Sequence, residues 1–515
     1  MNVRYVISRL GLLFVVLSAL MLFMTAAVFF LPEALMRHEV DPEARLALML
    51  SAGIGAVAGG LMWILNRRAA RILGRREALL LVALSWIVGA ALSALPYYLW
   101  ASLDDMSDVG HPFAGFISCY FEAMSGLTTT GATVLADIEA LPRSLLFWRA
   151  TTHWVGGLGI VVLFVAILPS LGVGGKKLFK VEAPGPRKRG IQPRIAEAAR
   201  VIGLIYLGLT LGVFMALWLF TPMNWLDAIC HAFATMATGG FSTRNASIAA
   251  YDSLSADIII MIFMLLAGVN FGLYFHLLRG QAGLVWRDTE LRVYLATIAI
   301  ASLVVVGTLL EQRIVSSAGA EVEPSAAAAV RHGVFQVVSI QTTTGFVTAD
   351  FDRWGFFPKT ALVILMFIGG SAGSTAGGIK VIRIWMTLRI MLAEIERIFR
   401  PQAVRPLRVG GTTIDDMLKL ATVSYVLGIL VLCLIGALLL MFLEPAGTID
   451  FTTAATASAA TLNNIGPGLA RVGAIQNFGW FSDASKVVMT ILMALGRLEV
   501  FAIIVLFSPR FWKGD

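Results

Sequence analysis

The chain has 515 residues, 58% of them strongly hydrophobic and only 14% charged, with a mean hydropathy of +0.82. A soluble domain carries about half apolar and about a quarter charged residues, so a soluble enzyme is excluded, and so is a disordered chain. The formal net charge of +8 sits on basic residues between apolar segments, which points to membrane topology and not to nucleic acid.

A bilayer core about 30 Å thick is crossed by about 20 apolar residues in a helix. Windows of that size lie near 8–31, 46–65, 77–99, 149–170, 197–220, 257–278, 290–311, 417–443 and 486–508. A tenth, near 360–395, is too long for one straight span. Arg4 and Arg9 precede the first window as they would in a secretory signal. Its apolar run exceeds the roughly 7–15 residues of a signal core, and more spans follow, so it reads as a true helix.

Loop charge orients these spans. Arg67, Arg68, Arg71, Arg75 and Arg76 follow the second, and Lys176, Lys177, Lys180, Arg187, Lys188, Arg189 and Arg194 follow the fourth, against the single acid Glu182. Arg397, Arg400, Arg405 and Arg408 follow the eighth in chain order. The alternate connections carry Glu39, Asp41 and Glu43, then Asp104, Asp105 and Asp108. The positive-inside rule then predicts ten spans with both termini in the cytoplasm.

Four outward connections hold a shorter apolar segment, at 112–127, 224–237, 328–341 and 449–462. Each is too short to cross as a helix. One such segment fits a helix lying on the surface as well as a re-entrant hairpin. Four of them, each running into a Thr- or Asn-containing turn with glycine, favour the hairpin. The aligned glycines Gly131, Gly239, Gly345 and Gly466 are separated by 108, 106 and 121 residues. This is an internal repeat of helix, pore hairpin and helix. The expected fold class is an all-α polytopic membrane protein with four tandem helix–pore-loop–helix repeats in pseudo-fourfold arrangement. The repeats span 77–190, 191–285, 286–400 and 401–515, preceded by an N-terminal helical pair at 1–66.

A ring of four glycine-centred strands presents backbone carbonyls to an axis, where they replace the hydration shell of a monovalent cation. Glycine permits backbone angles that a side chain blocks. Short helices aimed inward bring their negative dipole ends to the cavity, and flanking threonines satisfy the hairpin's own polar groups. No turn carries Asp or Glu, which disfavours a calcium-type carboxylate ring. The nearest acid, Glu122, is read as a hydrogen-bonding residue behind the first turn.

FEAMSGLTTTGATV at 121–134, IGGSAGSTAGGIK at 368–380 and GRLEVFAIIVLFSPRFW at 496–512 occur in order. With these stretches the chain resembles the Trk/Ktr/HKT cation transporter superfamily, most closely its TrkH/TrkG potassium-uptake branch. The resemblance spans essentially the whole chain, including the extra N-terminal pair. It implies a selectivity filter at Thr129, Thr130 and Gly131; Ala237, Thr238 and Gly239; Thr343, Thr344 and Gly345; and Asn464, Ile465 and Gly466. Members with serine at the first filter glycine admit more sodium, so Gly131 implies a preference for potassium. The second and fourth turns depart from the Thr-Thr-Gly pattern, so the ring is not four-fold identical.

Five glycines within ten residues, Gly369, Gly370, Gly373, Gly377 and Gly378, make a continuous helix costly at about 0.8–1.0 kcal/mol each. By themselves they fit close helix packing as well as a broken helix. The resemblance implies an intramembrane gating loop, Gly369, Gly370, Ser371, Ala372, Gly373, Ser374, Thr375, Ala376, Gly377 and Gly378, lying beneath the filter. It also implies that Arg497, about eleven residues into the last span, faces the permeation path. A buried arginine holding repeats together by a tertiary salt bridge is the alternative. Lys380 is read as snorkelling to the interface. Asn270 is a weaker candidate for touching the loop, and His153 and His276 are read as structural.

Cys119, Cys230 and Cys433 lack paired or metal-ligand spacing and read as small buried hydrophobes. Gly172–Lys177 lacks the Ser/Thr and the spacing of a phosphate loop. No cofactor is expected in this chain, and K+ is the expected cargo. The resemblance further implies a homodimer in the bacterial inner membrane and a TrkA-like cytosolic regulatory subunit holding the nucleotide, NAD or ATP/ADP. A sodium-selective or nonselective pore differs from this reading only within the filter. A proton-coupled symporter, the less favoured alternative, would need intramembrane acids or histidines along the spans, and the span interiors offer almost none; an enzyme would need converging ligands, and no such constellation occurs in the sequence.

Overall fold

The computed structural model describes residues 1–30, 41–70, 74–104, 110–166, 191–401, 407–410 and 412–512. The basic connection from Lys176 to Arg189, the Gly172–Lys177 run, and Glu39, Arg71, Asp105, Asp108 and Arg405 lie outside these residues.

The N-terminal pair is α1 (Val3–Phe30) and α2 (Pro42–Asn66). These two helices approach closely because Gly11 and Gly59 meet: a Cβ on either would stand 2.6 Å from the other's carbonyl oxygen. Small residues at such a crossing are how membrane helices gain contact without a hydrophobic driving force. The pair leans on α3 (Arg75–Leu103).

From α3 onward one order of elements recurs. α3 is followed by the short α4 (Phe116–Leu127) and by α5 (Arg143–Ala166). Next come α6 (Ile191–Phe220), α7 (Trp225–Met236), α8 (Leu254–Ala267), α9 (Phe271–Leu278) and α10 (Ala282–Arg287). The third series is α11 (Thr289–Leu309), α12 (Ala326–Gln341), α13 (Phe356–Leu365) and α14 (Val381–Phe399). The fourth is α15 (Asp416–Leu443), α16 (Phe451–Leu462), α17 (Asp483–Arg497), α18 (Phe501–Ile504) and α19 (Pro509–Trp512). Two small antiparallel hairpins, Ile314–Val315 with Glu321–Val322 and Arg408–Val409 with Thr412–Thr413, are the strands among the described residues.

The short helices α4, α7, α12 and α16 form the centre. Three start with side-chain caps: Asn224 on the Asp227 amide, Ser325 on Ala328 and Asp450 on Thr453. The long helices around them leave Leu, Ile and Phe exposed on their outer faces, as on α15 at Leu420, Leu434 and Phe442. A face of that kind suits lipid contact.

Among the described residues six helices are long and apolar enough to cross a membrane: Val3–Ala26, Pro42–Asn66, Arg76–Leu103, Glu197–Phe220, Thr289–Leu309 and Asp416–Leu443. The α8–α9 pair, bent by 94°, makes a seventh if taken as one span. The windows near 149–170, 360–395 and 486–508 fall on α5, on α13 with α14, and on α17 with α18. Two windows read as continuous are interrupted. The first, 257–278, breaks at Gly268–Asn270, where the Asn270 side chain caps Gly272 N at 2.7 Å and Gly268 is packed under the Tyr294 hydroxyl. The second, 486–508, breaks after Arg497, where Glu499 and Val500 both take left-handed backbone angles (φ 55°). The Glu499 carboxylate is bound there by Arg383 at 2.7 Å, a tertiary contact that local sequence does not signal.

Candidate permeation site

The four short helices end in the same turn. In the first, Thr129 N donates to Gly126 O at 3.0 Å and Thr130 N to Ser125 O at 2.8 Å. The same two bonds run from Thr238 and Gly239 to Thr235 and Ala234, from Thr343 and Thr344 to Ile340 and Ser339, and from Asn464 and Ile465 to Thr461 and Ala460. Each is a Schellman closure with the residue after the cap in the left-handed region. That residue is Thr129, Thr238, Thr343 and Asn464, with φ of 53°, 52°, 56° and 56°. None is glycine, so each turn bears a local backbone cost of about 1–2 kcal/mol.

Two residues later each chain turns again, at a glycine with positive φ: Gly131 (82°), Gly240 (78°), Gly345 (81°) and Gly466 (100°). The second glycine is therefore Gly240, one residue beyond the Gly239 of the sequence alignment. Ala237 correspondingly sits in the helix cap, alongside Thr128, Thr342 and Asn463, and the equivalent triplet is Thr238, Gly239 and Gly240. Gly239 is small for a separate reason, because a Cβ there would stand 2.6 Å from the His153 ring. The Gly-Phe dipeptide shared by Gly240-Phe241 and Gly345-Phe346 is the signal that would have set this register.

The four turns meet in a closed order. A Cβ on Gly131 would run into the carbonyl oxygen of Gly239, on Gly240 into that of Thr344, and on Gly345 into that of Ile465. A Cβ on Gly466 would come within 2.9 Å of the Thr130 carbonyl oxygen, returning to the first turn. Asn464 Nδ2 donates to Thr130 Oγ1 at 3.0 Å across the same seam. Each glycine thus packs on the carbonyl of the residue preceding the next glycine, so glycine is required at these four positions by close approach as well as by φ. All four line a cavity, together with Thr133, Arg244, Asn245, Gln476 and Asn477.

The turns are braced from behind. Thr128 Oγ1 bonds Met124 O and Thr130 Oγ1, and Thr342 does the same with Val338 O and Thr344 Oγ1. Glu122, fully buried, accepts from Thr133 Oγ1 at 2.9 Å, Val134 N at 2.9 Å and Arg149 Nε at 2.6 Å. Arg149 also donates to Ser242 O at 3.0 Å and lies 3.4 Å from the centre of the Phe241 ring. His153 Nε2 accepts from Phe241 N at 3.2 Å, so Nδ1 carries the proton and donates to Gly126 O at 2.8 Å. Arg149 and His153 thereby tie the first turn to the second; the structural reading of His153 gains its partners here, and Arg149 is a residue that the sequence does not single out. His276 bonds Gln281 and reaches none of the turns. Beside this cavity, the Asn245 amide bonded at 2.8 Å holds the Asp137 carboxyl below its ordinary range.

Beneath the ring, residues 369–378 form an irregular buried loop. Gly369 N bonds Ile379 O at 2.9 Å and Val381 N bonds Gly370 O at 3.1 Å, closing its neck. One flank lies on the α8–α9 break: Ser371 N donates to Gly268 O at 2.9 Å and Phe271 N to Gly373 O at 3.1 Å. Asn270 is within reach as well, its Oδ1 lying 3.1 Å from where a Gly373 Cβ would stand. The other flank touches the turns, since Gly377 N donates to Thr343 Oγ1 at 2.6 Å. A Cβ on Gly377 would be 2.5 Å from Asn463 O. Ser374 Oγ and Thr375 Oγ1 bond within the loop and to Ala267 O.

Arg497 is 3% exposed and donates from Nη1 to Thr375 O at 2.8 Å and from Nη2 to Gly156 O at 3.5 Å. Among the described residues no carboxylate lies within ion-pair distance of it, so the salt-bridge alternative does not describe its contacts. Lys380 does not snorkel; it is 7% exposed and its Nζ is bonded to Ala376 O, capping the loop from below. Cys119, Cys230 and Cys433 are buried free thiols, away from the turns and the loop.

Residues 56–513 match the TrkH family, described as cation transport protein. The chain belongs to the TrkH family. It is 40% identical over 462 residues to the Trk system potassium uptake protein TrkH of Escherichia coli K12, covering 89% of this chain and 91% of the relative. The protein of the same name from Vibrio parahaemolyticus is 36% identical over 521 residues, covering all of both chains. The crystal structure of the potassium transporter TrkH from Vibrio parahaemolyticus superposes with a TM-score of 0.85 at 34% identity, again over all of both chains. These relatives are named as transporters, and the TrkH-family chain is a mainly helical membrane transport protein and not an enzyme.

Proposed function

We propose that the chain is the potassium-conducting subunit of a Trk-type uptake system, with the four turns as its selectivity filter. The observation that carries this is the closed order of contacts in which each filter glycine seats on the carbonyl of the next turn. Such a ring brings backbone oxygens from four sides to one axis, where they substitute for the hydration shell of K+. The filter residues are Thr129 to Gly131, Thr238 to Gly240, Thr343 to Gly345 and Asn464 to Gly466. Glu122, Arg149 and His153 hold their spacing.

The loop 369–378 and Arg497 form the gate in this reading. The loop lies against Thr343 and Asn463 on the inner side of the ring, and the Arg497 guanidinium is fixed on its Thr375 carbonyl. A fixed positive charge in a low-dielectric path repels a cation by several kcal/mol. Opening requires the loop to leave, and a TrkA-like cytosolic subunit carrying NAD or ATP/ADP would supply the force. This chain needs no cofactor of its own; K+ is its cargo. The assembly is a homodimer in the bacterial inner membrane, with ten crossings per chain and both termini in the cytoplasm.

The test is rubidium uptake into proteoliposomes of the purified protein under an imposed potential. Potassium should compete and equimolar sodium should not, and Gly131→Ser should weaken that discrimination. Equal competition by sodium would make the chain a nonselective or sodium-conducting pore.

A further inference from the structure

We propose that Glu290 is a positioning residue that latches the loop in its closed place, from the side opposite the filter. The proposal rests on reading the loop 369–378 as the gate. Glu290 is the second residue of α11, whose first turn is capped by Asp288 on Leu291 N at 2.7 Å. It is 8% exposed, and its Oε1 accepts from Ala372 N at 2.7 Å. Among the described residues it is the one carboxylate bonded to the backbone of residues 369–378. Oε1 is thus the side-chain acceptor that the buried Ala372 amide has in this structure, and a buried donor deprived of its acceptor is left with its desolvation cost unmet.

The position of this bond makes it a latch and not a filler. The neck bonds between Gly369 and Ile379 and between Gly370 and Val381 tie the two ends of the loop to each other. Gly377 is stopped against Thr343 on the filter side, and Thr375 is held by Arg497. Ser371 and Gly373 bond the α8–α9 break, and Ala372 between them is held in addition by α11, which belongs to neither the filter nor the last helix. Just before Glu290 the chain runs through the exposed residues Leu278, Leu284 and Trp286. A displacement of that segment is carried by the start of α11 to Ala372 without passing through the filter. Asp288, Lys380 and Arg383 are the charged groups around the carboxylate; none of them bonds the loop amide that Glu290 holds.

The experiment compares wild type, Glu290→Ala, Glu290→Gln and Arg497→Ala, as full-length protein in proteoliposomes without a regulatory partner. Losing one buried hydrogen bond corresponds to a shift of up to about tenfold in the closed-to-open ratio. Glu290→Ala should therefore raise the maximal rubidium uptake rate by up to about tenfold, with the concentration for half-maximal uptake and the potassium-over-sodium competition unchanged. Glu290→Gln keeps an acceptor oxygen of similar reach in a different side chain, and its rate should fall between the two; it also decides the matter if the alanine variant does not fold. Wild-type rates in both Glu290 variants beside a raised rate in Arg497→Ala would overturn the latch and leave the gate reading standing. A changed competition ratio would also overturn it, by placing Glu290 in filter support. If Arg497→Ala is silent too, the gate reading itself fails. The latch is then judged by thiol labelling of Ser374→Cys, which should quicken in the Glu290→Ala background and which overturns the latch if it does not.

Discussion

Gly240 seats on the carbonyl oxygen of Thr344, while its neighbour Gly239 seats on the imidazole of His153. Two adjacent glycines thus serve different ends, one closing the ring to the third turn and the other making room for a buried side chain. At Gly240 an alanine meets both a backbone carbonyl and a left-handed φ of 78°. The φ alone costs about 1–2 kcal/mol, and the carbonyl cannot swing away without breaking the ring. Gly240→Ala should abolish potassium-selective rubidium uptake, and His153→Ala should not rescue it. Gly239→Ala should also impair uptake, but the double variant with His153→Ala should recover part of it, because the obstructing ring is gone. Absence of rescue at Gly239, or rescue at Gly240, would reverse the two assignments.

The Glu122–Arg149 pair is the second place where one change has a large effect. Both side chains are at most 2% exposed and the pair is 2.6 Å apart, with Val134 N and Ser242 O completing the network. Removing one partner of a buried pair typically costs about 3–5 kcal/mol, because the other charge is left without compensation. Glu122→Ala should lower the unfolding temperature in detergent markedly, whereas Glu122→Gln, which still accepts from Val134 N, should lower it less. Arg149→Ala should match Glu122→Ala, and the double alanine variant should be no worse than either alone. An additive double variant would show that the two residues act separately.

How much of this was legible beforehand follows from where each signal resides. The long apolar segments were legible because length and composition alone decide whether a helix can cross, as in α15. The four short helices were legible from their repetition, and glycines 369–378 marked their own irregularity. The register of the second turn was missed, because Ala-Thr-Gly-Gly-Phe offers two glycines; the Gly-Phe pair shared with the third turn marks the right one, and in the fold Gly240 takes the positive φ while Gly239 packs on His153. The break after Arg497 was invisible as well. Leu498, Glu499 and Val500 contain neither glycine nor proline, and the turn is held by Arg383 from 116 residues away. Lys380 was misjudged for a similar reason, since its acceptor is a loop carbonyl that exists only once the helix is broken.

Gly377 carries a prediction about the contact between loop and filter. Its amide donates to Thr343 Oγ1, and a Cβ would stand 2.5 Å from Asn463 O and 3.0 Å from Asn464 Cβ. Neither neighbour can retreat, since Asn463 and Asn464 belong to the ring. Gly377→Ala should therefore displace the loop and raise rubidium uptake in the absence of a regulatory partner, with competition by potassium retained. Thr343→Val removes the acceptor without adding bulk to the loop and should give a smaller rise. Reduced uptake in Gly377→Ala would show that the loop, once displaced, still obstructs the path.

Arg497 allows charge to be separated from bulk. At roughly 6 Å and an effective dielectric of about 20, a unit charge repels a cation by about 2.8 kcal/mol, or about a hundredfold in occupancy. A steric plug of the same size would not depend on charge. Arg497→Gln keeps a polar side chain that still donates to Thr375 O, but without the charge; Arg497→Lys keeps the charge but loses the second donor arm that reaches Gly156 O. If the charge sets the barrier, Arg497→Gln should raise partner-independent rubidium uptake far more than Arg497→Lys, approaching Arg497→Ala. If the plug is steric, Gln and Lys should both stay near wild type and only Ala should conduct. The order Ala ≈ Gln > Lys > wild type is the one expected, because the guanidinium is buried on neutral carbonyls with no carboxylate among the described residues to cancel its field.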